Sequence, residues 1–179
     1  WSQIFETGRI PAEERVLKAR PTEAGDQPFF EPPPVAEVVA AIREFKPDLV
    51  FAAHVETASG IMLPDDYIRQ VADAVHAEGG LFVLDCIASG TMWVNMRDVQ
   101  VDVLISAPQK GWTSSACCGL VMLGEAARRH IETTQSSSFA CDLRKWLGIM
   151  EAYEKGGHAY YTTLPTDSLI VLRNVMAET

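Results

Sequence analysis

An α/β fold built on a mostly parallel sheet is predicted by three features of the sequence. Mainly apolar runs recur at residues 48–53, 81–84 and 101–106. The first two runs are separated by a stretch with apolar residues at helical spacing. Each run is followed at once by polar or charged residues. Strands that are apolar along their whole length need cover on both faces, and a strand, helix, strand, loop, strand order is how a parallel sheet is written into a chain.

The elements follow in order. Residues 1–34 mix Pro, Gly and charge and read as short elements joined by loops. Val35, Val38, Val39, Ile42 and Phe45 then fall on one helical face, with Pro34 suited to the first turn and Pro47 ending the helix. Asp48 to Ala53 is a short buried strand. A second helix begins at Pro64-Asp-Asp66, whose acids suit the positive end of the helix dipole, and buries Ile68, Val71, Ala72 and Val75 before Gly79-Gly80 stops it. Leu81 to Leu84 and Val101 to Ser106 are the next strands, separated by a loop that carries Trp93. Gly119 to Leu123 reads as a further strand, Glu125 to Ile131 as a short helix, and residues 133–138 as a polar loop. Trp146, Ile149, Met150 and Tyr153 mark a helix that breaks at Gly156-Gly157. An extended segment, residues 160–165, leads to a last helix with Leu169, Leu172 and Met176 on one side.

Bulk properties narrow the function. With 179 residues, 47% of them apolar and 22% charged, the chain buries one sizeable core. A formal charge of -9 with no dense Lys/Arg patch argues against nucleic acid as a partner. No apolar run approaches the roughly 20 residues of a membrane span, and the start does not resemble a signal peptide, so the cytoplasm is the expected compartment. Four cysteines lack the spacing of a disulfide framework or zinc site, and Cys117-Cys118 is expected to be a reduced, small apolar pair. The first residue is Trp and the last two are Glu-Thr, so the chain is expected to be a piece of a longer protein.

Chemistry gathers beyond the strand ends: His54, Glu56 and Thr57 after the first, Asp85 after the second, Gln109 and Lys110 after the third. In open α/β sheets the carboxyl edge is where ligands bind, so these groups are expected to line one crevice. Singly, each has an ordinary reading. Asp85 can close an Asx turn, Lys110 can be a solvated surface group, His54 and Glu56 can hydrogen-bond loop backbone, and Thr57 and Ser59 can form a turn beside Gly60. Jointly, an acid and a lysine at one sheet edge match an aromatic nitrogen cofactor that carries an aldehyde. The carboxylate would keep a proton on the ring nitrogen and the amine would form a Schiff base.

Three segments, His54-Val-Glu-Thr-Ala-Ser-Gly60, Val83-Leu-Asp-Cys-Ile-Ala-Ser89 and Ser106-Ala-Pro-Gln-Lys-Gly111, resemble in order and spacing the class V aminotransferases of fold type I, in particular their alanine-glyoxylate and serine-pyruvate branch. The resemblance implies a three-layer pyridoxal 5'-phosphate-dependent large domain, to which residues 1–179 belong as a fragment. The family's phosphate loop would lie upstream and its small domain, with the arginine for the substrate carboxylate, downstream.

By that resemblance Lys110 and Asp85 are the catalytic pair, Lys110 binding the cofactor and Asp85 facing its ring nitrogen. Ile87 presses on one ring face and Trp1 stacks on the other. Thr57 reaches the ring substituents and Gln109 the phosphate. Tyr160 and Thr163 reach the phosphate of a neighbouring subunit, which implies a homodimer; on spacing alone they form an ordinary turn before a helix. The implied reaction moves an amino group from a small amino acid of the alanine or serine type to a keto acid such as glyoxylate or pyruvate. Two alternatives stay open: a lyase of the same class, of the cysteine desulfurase or kynureninase type, and a non-catalytic reading, either an α/β interaction module or a fragment of the large domain without turnover. Desulfurases typically place a histidine before the lysine, where this chain has Gln109, so transamination leads.

Overall fold

The computed structural model describes residues 1–179. The opening stretch forms a short helix, α1 (Ser2–Gly8), and a minimal antiparallel pair, β1 (Arg20–Pro21) with β2 (Phe30–Glu31). Helix α2 (Val35–Phe45) starts directly after Pro34, which occupies the capping position, and ends where Lys46 turns left-handed ahead of Pro47. Strand β3 (Leu49–Ala53) follows, then a small hairpin of β4 (Val55–Glu56) and β5 (Ile61–Met62), then α3 (Asp65–Ala77). Strands β6 (Leu81–Asp85), β7 (Val103–Ser106) and β8 (Leu120–Leu123) precede three further helices, α4 (Glu125–Thr133), α5 (Leu143–Glu154) and α6 (Thr166–Glu178).

The central sheet has the order β3-β6-β7-β8. The first two pairs are parallel and β8 runs antiparallel to β7. Between β7 and β8 the chain contains no crossover helix, so it returns from the same sheet end and must enter antiparallel. Register then sorts the side chains. Val50 lies opposite Phe82, Ala52 opposite Leu84, and Leu84 opposite Leu104, so these share one face. That face carries the core: Val38 and Ile42 of α2 and Ile68, Val71 and Val75 of α3 close over Phe82, Leu84 and Leu104. Full burial of each such side chain contributes about 1.5–3 kcal/mol.

The opposite face holds Phe51, Ala53, Val83, Asp85, Val103 and Ile105. Here α1 docks through aromatic contacts, with Trp1 and Phe5 each 4.9 Å, centroid to centroid, from Phe51. Asp85 therefore projects away from the helical core, at the carboxyl end of a central strand.

A second acid anchors the other end of that strand. Asp102, nearly buried, accepts the Phe82 amide at 2.8 Å and sits 2.7 Å from His76 Nε2 in the last turn of α3. One carboxylate thus ties helix, strand and the entry to β7 together. The last third is looser: α4 meets α5 through Arg128 and Glu151 (2.6 Å), and in α6 only Leu172 is buried. The residues 160–165 do not form a strand.

Candidate functional site

The three parallel strands end together, and backbone bonds lock the ends in step. The His54 amide donates to the Asp85 carbonyl at 2.9 Å, and the Cys86 amide donates to the Ile105 carbonyl at 2.8 Å. Each ladder therefore continues one residue past its strand, and the residues that follow leave from one edge. The loops are tied to one another as well. His54 Nδ1 lies 2.7 Å from Ser89 Oγ, which joins the end of β3 to the loop after β6. Trp93 and Trp112 meet edge to face at 4.6 Å, which joins that loop to the one after β7. Trp112 Nε1 donates to Ser106 Oγ at 3.3 Å.

A further contact is made between two glycines. Gly111 lies so close to Gly90 that a Cβ placed on it would overlap the Gly90 carbonyl, α-carbon and carbonyl carbon. Gly90 itself takes a left-handed φ of +64°. The residue after Lys110 is thereby pressed onto the residue after Ser89, and the Lys110 turn is fixed against the Asp85 loop. Gly111→Ala is expected to push the two loops apart and destabilise the protein by about 3 kcal/mol, read as a lowered urea midpoint at unchanged slope.

Asp85 is half-buried and uses each oxygen once. Oδ1 accepts the Ile87 amide at 2.9 Å, and Oδ2 accepts Trp1 Nε1–H at 3.0 Å. A carboxylate offers about four lone-pair positions, so roughly two remain for an incoming donor. Lys110 is exposed in the turn that starts at Pro108, and that turn is closed by the Thr113 amide on the Lys110 carbonyl (3.0 Å) and the Ser114 amide on the Pro108 carbonyl (3.0 Å). Gln109 beside it is also exposed, Ile87 is half-buried, and Thr57 is exposed on the β4–β5 turn.

Glu56 and His54 separate in role. The Glu56 carboxylate accepts the Ser59 hydroxyl and amide and the Ala58 amide, and these bonds hold its pKa below the usual range. It is the turn's organiser, fully engaged with its own loop. His54 is 4% exposed, and burial pushes its pKa down. Cys86, also buried, has its thiol pushed up to about 11, chiefly by desolvation, and stays protonated at neutral pH.

Trp1, Asp85, Ile87, Gln109 and Lys110 thus belong to linked segments at one edge. Tyr160 and Thr163 do not join them. Both are exposed in the segment between α5 and α6, and their hydroxyls lie 3.1 Å from each other. Their neighbour Tyr161 packs on Phe139 and Trp146. A cavity of about 890 Å³ also lies away from the edge, between the end of α4 and the start of α5, and its lining residues include Thr133, Gln135, Asp142 and Lys145. Asp142 already caps α5 there, accepting the amides of Arg144 and Lys145. Nothing in the sequence reading named the contacts between loops: His54 with Ser89, Gly111 with Gly90, and Trp93 with Trp112. The small-residue run Ala88-Ser89-Gly90 and the glycine after Lys110 were the available signals.

Comparison with known proteins supplies a context for this edge. No protein-family profile matches the chain. It is 31% identical over 145 residues to the alanine-glyoxylate aminotransferase of Felis catus, covering 79% of this chain and 34% of that protein. It is 26% identical over 124 residues to the L-aspartate-glyoxylate aminotransferase of Paracoccus denitrificans, covering 69% and 31%. The solved alanine-glyoxylate aminotransferase from Nostoc sp. superposes with a TM-score of 0.70 at 21% identity, over 80% of this chain and 37% of that one, and so shows the same fold. The chain spans about a third of the length of the curated relatives it matches.

Proposed function

We propose that this chain is the cofactor-holding part of a longer enzyme of the class V aminotransferase family that moves an amino group from a small amino acid to a keto acid of the glyoxylate or pyruvate type. The observation that carries the reading is the coupling of Asp85 to the Lys110 turn at one sheet edge through Gly90 and Gly111. The names of the relatives in Felis catus and Paracoccus denitrificans support glyoxylate as acceptor.

The residues present fit pyridoxal 5'-phosphate. Asp85 is an acid with spare lone pairs, Lys110 is an unengaged amine, and Trp1 and Ile87 supply an aromatic and a branched apolar surface. When bound, this cofactor offers a protonated ring that takes up the electrons left behind at the substrate's α-carbon. The chain's own part is proton handling and placement. Asp85 keeps the proton on the ring nitrogen, while Lys110 Nζ is the covalent anchor and the base that takes the proton from the substrate's α-carbon. Trp1 and Ile87 confine the ring, Thr57 meets its substituents and Gln109 its phosphate. Trp1 already donates to Asp85 Oδ2 and so also orients the carboxylate.

The exposed Tyr160 and Thr163 hydroxyls serve a second copy of the enzyme, completing the phosphate site of a homodimer. The test is an assay of the complete protein with a panel of amino donors against glyoxylate and pyruvate. Keto-acid formation that requires both substrates is the expected result. Release of sulfide from cysteine, or of alanine from kynurenine or cysteine, without an acceptor would replace transamination with lyase chemistry.

A further inference from the structure

We propose that His54 is a positioning residue for the Asp85 and Lys110 pair, acting through Ser89 on the loop against which Lys110 is held; this rests on the reading of the site given above.

The His54 backbone has little freedom. Its amide donates to the Asp85 carbonyl and its carbonyl accepts the Leu63 amide, both at 2.9 Å. The ring is therefore placed by the sheet rather than by the loop. A buried imidazole without a partner is costly, and the partner here is the Ser89 hydroxyl, itself 6% exposed, at 2.7 Å. The Ser89 amide donates to the Cys86 carbonyl at 3.3 Å, and the Cys86 thiol, its pKa pushed up to about 11 by burial, stays protonated and sets no negative charge on this loop. Ser89 is followed by Gly90, Gly90 is overlaid by Gly111, and Gly111 follows Lys110. A continuous series of contacts thus runs from the end of β3 to the lysine.

The two members of the pair depend on it unequally. Asp85 is the last residue of β6, paired on both sides, and its carboxylate is bonded to the Ile87 amide. Lys110 lies four residues past β7 and leans on the 86–90 loop. Loss of the imidazole removes the support of that loop without touching the strand. The Lys110 turn then loses its support on the 86–90 loop, while Asp85 keeps its place in the strand.

The test uses the complete protein with His54→Ala, His54→Asn, Ser89→Ala and the His54→Ala, Ser89→Ala double variant. Asparagine can present a nitrogen or oxygen near the position of Nδ1, so it is the conservative rescue. Amide exchange without cofactor is expected to quicken about tenfold at residues 86–92 and 110–114 in His54→Ala, with residues 82–85 unchanged. Affinity for pyridoxal 5'-phosphate, read by tryptophan fluorescence, is expected to fall about tenfold, with His54→Asn within about threefold of the unaltered protein. Ser89→Ala should match His54→Ala, and the double variant should add little to either. Unchanged exchange at 110–114, or exchange that quickens equally across 82–85, overturns the proposal. If His54→Ala does not fold, the same exchange pattern in Ser89→Ala and its rescue in His54→Asn decide the question. Should the unaltered protein take up no pyridoxal 5'-phosphate, the proposed function fails, and the exchange pattern still decides whether His54 braces the loop.

Discussion

Lys110→Ala is expected to abolish borohydride-stable attachment of pyridoxal 5'-phosphate to the protein and to lower turnover by roughly 10³-fold or more, with stability almost unchanged. The size follows from the two roles proposed for one atom, Nζ as covalent anchor and as proton carrier; positioned acid-base groups alone contribute roughly 10²–10⁴. The stability half of the expectation comes from the structure. Lys110 is exposed and takes part in none of the chain's ion pairs. Truncating such a side chain changes stability by about 0.5 kcal/mol at most. Reduction with borohydride, digestion and mass measurement of the peptide around residue 110 checks the first half, and a urea titration checks the second. Recovery of the same stable adduct in Lys110→Ala would remove the lysine from the chemistry.

That an exposed amine can act specifically depends on what holds its turn. The parallel order β3-β6-β7 brings three chain segments out at one edge, but strand order alone fixes only where they start. The loops beyond are kept in relation by contacts between small groups: a hydroxyl on an imidazole, one glycine on another, and two indoles edge to face. Each is modest. Together they link the loop after Asp85 and the turn that carries Lys110 into one edge rather than leaving two independent loops.

Much of this was readable from the sequence because burial imposes period and length. Val38 and Ile42, then Ile68, Val71 and Val75, fall at helical spacing since one face of α2 and of α3 must meet the sheet, and both helices lie where that spacing puts them. The acid at position 85 stood out because it ends a run in which every other residue is apolar. The missed elements lack such signals. Helix α1 has seven residues, too few for a repeating stripe, and is held by Trp1 and Phe5 on Phe51, some 46–50 residues away in sequence. Strands β4 and β5 have two residues each, so Thr57 and Gly60 were legible as a turn while the hairpin they close was not. The direction of β8 is set by the connection that precedes it, not by its own composition. His54 with Ser89 joins positions 35 apart, and nothing local to either residue names the other.

Asp85→Asn is expected to fold, to bind cofactor, and to lose about 10²–10³ in kcat with little change in KM for the amino donor. In the structure Oδ1 accepts the Ile87 amide and Oδ2 accepts the Trp1 indole. An asparagine can keep the first bond with its carbonyl oxygen but then turns an N–H toward the indole N–H, so one exposed hydrogen bond is lost, costing about 1 kcal/mol. The rate falls for a different reason. A neutral amide cannot hold the proton on the ring nitrogen, and charge stabilisation of this kind is felt most when the substrate's α-carbon gives up its proton. That distinction makes the claim separable from a general loss of fit. A pyridoxal 5'-phosphate analogue methylated at the ring nitrogen carries its positive charge permanently, with no acid needed to maintain it. Loading this analogue should restore much of the lost rate in Asp85→Asn and none in Lys110→Ala, because only the first variant lacks what the methyl group supplies. Equal rates for Asp85→Asn and the unaltered protein with the natural cofactor would show that the acid at the end of β6 serves the Ile87 turn and nothing more.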